Sequence, residues 1–281
     1  MGANKTASTS FQTLCKNSQK VFEENSLVFP QYLSWKQHSF AAWMSQKRDI
    51  KGLTLFLRSI FNETKTKNCN TTLISGEDFE NFLIDTHLAN EFELLAKSEG
   101  YKNIEWIYIR RDPLDYLLSI YSEMSAYKVA LNLELMAEII LEYGFVSVSA
   151  NRYNWKFVFD VEKFAQLFKK NVNKNLKVVS FENFIFDYVG KTILIDYINE
   201  LSITKLKEVA ELIGIQRKRH SPEKVEFRYI ANFLNVKANK AFHENNKQLV
   251  DSLISHRIKR NNALFESIRS RFKDSFGYQK N

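Results

Sequence analysis

The chain has 281 residues, 44% of them hydrophobic, and 40 Lys and Arg against 32 Asp and Glu give a formal net charge of +8. That is enough apolar material for a substantial core, and the basic residues are interleaved with acids, so a nucleic-acid stripe is not expected, whereas a small anion needs far fewer positive groups. No long apolar window and no charged-then-apolar leader occurs, and the two cysteines, Cys15 and Cys69, offer neither a disulfide framework nor metal spacing, which together predict a soluble cytoplasmic protein without an integral membrane segment.

The chain opens "MGANKTASTSF", a lysine followed by four small residues. A disordered tail has the same look. An amphipathic helix follows, however, because Phe11, Leu14, Val21 and Phe22 recur at spacings one helical face can gather. Turn and first-turn N–H groups, the helix dipole, the hydroxyls of Ser8 and Thr9 and the charge of Lys5 would together make a cradle for phosphate or sulfate. The lysine comes first, so this is not the Gly-Lys-[Ser/Thr] loop of nucleotide triphosphatases.

Further along, His38 sits in the amphipathic segment "SWKQHSFAAW", where a lone histidine can be structural or a general base. Helical patterns cover Thr54–Phe61, Leu88–Ser98 and Leu114–Tyr127. Between and after them, "TTLIS" (71–75), "IEWIYI" (104–109) and "LKVVSF" (176–181) read as buried parallel strands. Glu77 lies just past the first of these strands and can be a base or a solvated loop acid; Asp78 beside it is a further base candidate or a helix cap. Arg110 and Arg111 end the second strand, and Pro113 suits the first turn of the helix that follows. Alone, these arginines also fit solvated strand-end charges, and Ser119 a helix-surface hydroxyl.

Arg217, Lys218 and Arg219 form a late basic run that can reach phosphates or simply face water. From Pro222 to the end no strand pattern remains, so residues 222–281 are expected to be helices packed on or capping a sheet. The sequons Asn62-Glu63-Thr64 and Asn70-Thr71-Thr72 carry weight only on a secretory route. Alternation of strand and helix predicts one α/β domain over 1–281, a three-layer α/β/α arrangement with a central, mainly parallel sheet and a helical C-terminal third.

The segment "NKTASTS" resembles the Lys-[Ser/Thr]-Gly-Thr-Thr phosphosulfate loop of the sulfotransferases that use 3′-phosphoadenosine 5′-phosphosulfate (PAPS), a P-loop-like family. "IEWIYIRRDPLDYLLSIY" is similar to that family's 3′-phosphate segment, with Arg111 and Ser119 at its spacing. Weaker similarity to the bacterial, carbohydrate-type branch runs through "TTLISGEDFENF", "LKVVSFENFI" and "KRHSPEKVEFRYIANFLN". The resemblance implies PAPS as co-substrate and no metal. It assigns Lys5, Thr6, Ala7, Ser8, Thr9, Ser10, Arg111, Ser119 and Arg219 to nucleotide binding, Lys5 also to the stabilisation of the leaving phosphate, and Glu77 or His38 to proton removal from a carbohydrate-like hydroxyl. Alternatives are a P-loop kinase, a non-catalytic sulfotransferase-like scaffold and a basic polyanion binder.

Two departures from the family pattern are expected to matter. Ala7 stands where the family has Gly, which would strain the turn by roughly 1 kcal/mol if its φ is positive. The loop should also follow a buried strand, and only "MGAN" precedes Lys5, so the first strand is expected to be missing before residue 4, leaving exposed sheet edges.

Overall fold

A computed structural model describes residues 7–32, 38–149, 154–214 and 220–277. It is a mixed α/β chain, mainly helical, with small parallel sheets. The strands are β1 (Leu27–Val28), β2 (Thr71–Thr72), β3 (Trp106–Arg110), β4 (Phe145–Ser149), β5 (Asn154–Val158) and β6 (Leu176–Ser180). Residues divide into two compact units: 1–111 with 147–217, and 112–146 with 218–281.

The first unit holds the parallel strands. β1 pairs with β2 in the register Leu27↔Thr71 and Val28↔Thr72. β3 pairs with β6 from Trp106↔Leu176 to Arg110↔Ser180. Among the described residues these are separate two-stranded sheets, and β4 and β5 make a third. Among the described residues the strands read from apolar runs are therefore present and parallel, as pairs.

Helix α1 (Ser8–Asn17) lays Phe11, Leu14 and Cys15 into a cluster with Leu27, Ile109, Val179 and Phe184. The helical pattern expected to run on to Phe22 is broken at Ser18, and a short helix, Gln19–Glu23, resumes it. A second apolar centre is aromatic, with Phe79, Phe82, Phe92 and Phe168 around Trp106 at centroid separations of 5.7–6.5 Å. Edge-on ring packing of this kind adds about 0.5–1.5 kcal/mol per pair beyond the buried area.

Local sequence explains where the helices begin. The Ile50–Thr66 helix starts at Asp49, whose carboxylate accepts from the Gly52 N–H at 2.9 Å, and the Val161–Val172 helix starts the same way at Asp160. Each such cap contributes about 1 kcal/mol.

The second unit is helical. Pro113–Ala126 begins on Asp112, whose side chain accepts from Asp115 N, with Pro113 at the first position as expected. With Leu133–Tyr143, Pro222–Phe233, Lys240–Asn245 and the long Lys247–Phe276 helix, it confirms the helical reading beyond Pro222. These helices are tied by a buried polar knot. The Tyr121 hydroxyl donates to Glu226 at 2.9 Å, Arg257 Nε donates to the same carboxylate at 2.6 Å, and Asn261 Nδ2 adds a third donor at 2.8 Å. Arg257 also lies flat over the Tyr229 ring, 3.6 Å from its centroid.

No described helix is long and apolar enough to cross a membrane.

Candidate anion and transfer site

The turn into α1 places Ala7 at a positive φ, the condition under which an alanine there is strained. Ala7 adopts φ 55° and ψ 21°, left-handed, and its carbonyl accepts from Phe11 N at 3.0 Å. Like the helices that begin at Gln19, Ser39 and Thr86, α1 has no side-chain cap. The cap residue Ala7 thus supplies no side-chain acceptor to the first turn of α1.

Ser8 and Glu77 meet. The Ser8 hydroxyl donates to Glu77 Oε1, joining the first turn of α1 to the chain just beyond β2. Gln12 Nε2 reaches Ser75 Oγ at 3.4 Å, a second tie between the same segments. Gly76 lets the start of the Ser39–Gln46 helix approach this segment, since a Cβ there would lie 2.9 Å from the Ser39 backbone nitrogen. Two residues to which the resemblance gives different roles, one in the phosphosulfate loop and one in proton transfer, are therefore neighbours.

Thr9 and Ser10 complete the first turn. The Thr9 carbonyl accepts from the Thr13 hydroxyl at 2.7 Å, and Ser10, buried, directs its hydroxyl toward the Gly214 carbonyl at 3.5 Å. Gly214 leads into the basic run. Lys5, Thr6 and Arg217 to Arg219 lie outside the described residues.

Arg111 follows directly on β3, its guanidinium 5.2 Å from the centroid of the Phe181 ring at the end of β6. Ala7 and Phe181 pack against the same apolar cluster of the first unit. Arg110 turns to Glu162 at 3.1 Å on the surface, which separates the roles of the two arginines.

Ser119 lies in the second unit, buried, and its hydroxyl donates to the Asp115 carbonyl of its own helix at 2.7 Å. The Arg111–Ser119 motif is thus split at the division between units. That back-bond is the ordinary use of a helical serine.

His38 is held by backbone on both sides. Its Nδ1 accepts from Ser75 N at 2.9 Å, which puts the ring proton on Nε2, where it donates to the Pro30 carbonyl at 2.8 Å. Burial lowers its pKa, against the backbone bonds that raise it. Neither nitrogen is open to take a substrate proton in this arrangement; the imidazole instead fixes the end of the β2 segment that carries Glu77. Asp78, half-buried and near Ser39 and Trp43, has its carboxyl pushed up by desolvation while those donors pull it down.

Sequence reasoning did not single out Phe181, Gly76 or Gln12. A glycine next to a strand-end acid was the one legible signal. Among the described residues no group of His, Cys, Asp and Glu could hold a metal ion, and both cysteines are free thiols. Comparison of the chain with protein-family models, with characterised proteins and with solved structures returned no match.

Proposed function

We propose that the chain is a PAPS-dependent sulfotransferase whose first unit follows a three-layer, P-loop-like plan, with a carbohydrate-like hydroxyl as acceptor. The observation that carries the reading is the left-handed Ala7 turn opening an uncapped helix whose first hydroxyl touches Glu77. A sulfonate at that helix start would accept from backbone amides and from Thr9, and from Ser8 once its hydroxyl turns away from Glu77. Arg111, braced on Phe181, offers a planar fork suited to the 3′-phosphate dianion.

In the transfer, the acceptor oxygen bonds to sulfur as the bridging S–O bond breaks, and the electron pair leaves on the nucleotide phosphate. Lys5 is assigned to that developing charge, and Glu77 to the acceptor proton. Catalysis is then chiefly alignment and charge stabilisation, as in phosphoryl transfer.

The test is thermal stabilisation by 3′-phosphoadenosine 5′-phosphate, set against ATP with magnesium and against heparin. A larger shift with the bisphosphate, lost in Arg111→Ala, supports the reading. Glu77→Gln should abolish labelled sulfuryl transfer to sugar acceptors while keeping the nucleotide shift. Equal or larger stabilisation by heparin or by ATP with magnesium, or unchanged bisphosphate binding in Arg111→Ala, overturns it.

A further inference from the structure

The hydrogen bonds between β1 and β2 advance by two residues at a time. Thr71 N donates to Ser26 O at 3.1 Å and Leu73 N donates to Val28 O at 2.8 Å. Alternate amides of a strand face the same neighbour, so the next bond of the series would join Ser75 N to Pro30 O. That bond is relayed. Ser75 N donates to His38 Nδ1 at 2.9 Å, and His38 Nε2 donates to Pro30 O at 2.8 Å. The imidazole stands between two backbone groups that the ladder would otherwise join directly, and it carries the hydrogen bonding across the width of its ring.

Several contacts hold the ring in that place. His38 is 1% exposed, and the Phe29 and Phe56 rings lie edge-on to it at centroid separations of 4.8 and 6.1 Å. Its own backbone nitrogen donates to Ser75 O at 2.8 Å, so His38 and Ser75 are joined twice. Gly76 then passes close to the same backbone, where a Cβ would lie 3.2 Å from the His38 carbonyl carbon. Glu77, bonded to the Ser8 hydroxyl, comes next. The relayed bond is thus two residues ahead of the tie to α1.

Such a relay works in one protonation state. A neutral imidazole with its proton on Nε2 accepts at Nδ1 and donates at Nε2, whereas an imidazolium donates at both and would set an N–H against the N–H of Ser75. Of the three bonds in the series, this is the one that acid can remove. Burial of the ring lowers the His38 pKa, while its two backbone bonds and the Glu63 carboxylate raise it. Glu63 lies on the Ile50–Thr66 helix, accepts from Gln31 N at 3.3 Å and pairs with Lys67 at 2.9 Å. On the segment beyond Ser75, Glu77 accepts from Ser8, and Asp78 lies beside Ser39 and Trp43. A ring released to water regains the ordinary pKa of about 6.5, so the released form takes up the proton first. The closed form is therefore at full strength above that value and loses ground as the pH falls below it.

We propose that His38 is a titratable third rung of the β1–β2 ladder, closed only by the neutral imidazole with its proton on Nε2, and that protonation frees Ser75 and the segment leading to Glu77 from Pro30 while the first two rungs stay made. This rung stands on the hydrogen bonds around His38 and is independent of the transfer chemistry.

The test begins with the unaltered chain. At pH 7.5, nitrogen NMR of labelled histidine should show His38 with its proton on Nε2; a proton on Nδ1 would overturn the proposal. Amide protection is then measured at Ser75 and at Leu73, whose ratio cancels the intrinsic pH dependence that both share. The ratio of Ser75 to Leu73 protection should fall more than about threefold between pH 7.5 and 5.5, and by no more than about tenfold per pH unit. An unchanged ratio means that the two rungs open together or that the ring does not govern the third, and sinks the idea. In His38→Asn, whose amide does not titrate, the ratio should stay constant over the same range; a ratio that still falls would count against His38 as the titrating group. Should His38→Asn not fold, the position of the proton and the ratio in the unaltered chain still decide.

Discussion

Ala7→Gly is expected to stabilise the first unit, although glycine normally weakens a helix start less suited to it. At φ 55° an alanine methyl crowds the backbone, and in a left-handed conformation that costs about 1–2 kcal/mol. Glycine relieves the strain but brings an unfolded-state entropy cost of about 0.4–1 kcal/mol. Ala7 is half-buried against the cluster of Phe11 and Ile109, so losing its methyl forfeits roughly half of the 0.8 kcal/mol of a fully buried carbon. The balance is a gain of about 0.3 kcal/mol, small by itself, and the decisive comparison is with Ala7→Val. A β-branched side chain at positive φ adds strain that glycine removes, so the two variants should differ by at least about 2 kcal/mol. Denaturant unfolding with an unchanged m-value reads both, followed by a probe in the first unit. If Val is tolerated as well as Gly, the backbone at residue 7 is not left-handed, and the anion cradle built on it loses its shape.

Three further outcomes follow from particular contacts. Gly76→Ala introduces a Cβ 2.9 Å from Ser39 N and 3.1 Å from Phe79 Cδ2, while its extended φ of −162° adds no backbone strain; the expected cost is about 1–3 kcal/mol, with Glu77 displaced, read as lower stability together with lost transfer. Glu226→Ala removes the shared acceptor of Tyr121, Arg257 and Asn261 and should cost about 3–5 kcal/mol in unfolding experiments, against about 1–2 for Tyr121→Phe, which leaves the Arg257 pair in place. His38 has a folded pKa below its ordinary 6.5, so as pH falls through that value the unfolded state takes up a proton first. Its contribution is complete above that value and declines below it, by up to about 1.4 kcal/mol per pH unit, and His38→Gln should flatten the stability profile below about pH 6.5.

Much of the local structure was legible in the letters. Apolar runs located β3 and β6 within two residues, and Pro113 marked the first turn of its helix, because both depend on side chains near in sequence, whereas the helix start at Asp49 was read four residues late. β1 was missed since two residues, Leu27 and Val28, make no pattern. β4 and β5 were missed although "FVSVS" alternates, because a short alternating run at the end of a helix competes with continued helix.

At the candidate site the division is the same. The sequence by itself determined which residue types could grip an anion, and the positions of Ala7, Ser8, Glu77 and Arg111 at element ends follow from local periodicity. Tertiary structure alone decided that Ser8 meets Glu77, that Phe181 lies under Arg111, and that His38 spends both nitrogens on backbone while Ser119 bonds its own helix. The pairing of the strands among the described residues was likewise settled there. The reason is physical: a propensity is a property of neighbours along the chain, whereas a hydrogen bond between residues 8 and 77, or the space between two strands, depends on how distant segments pack.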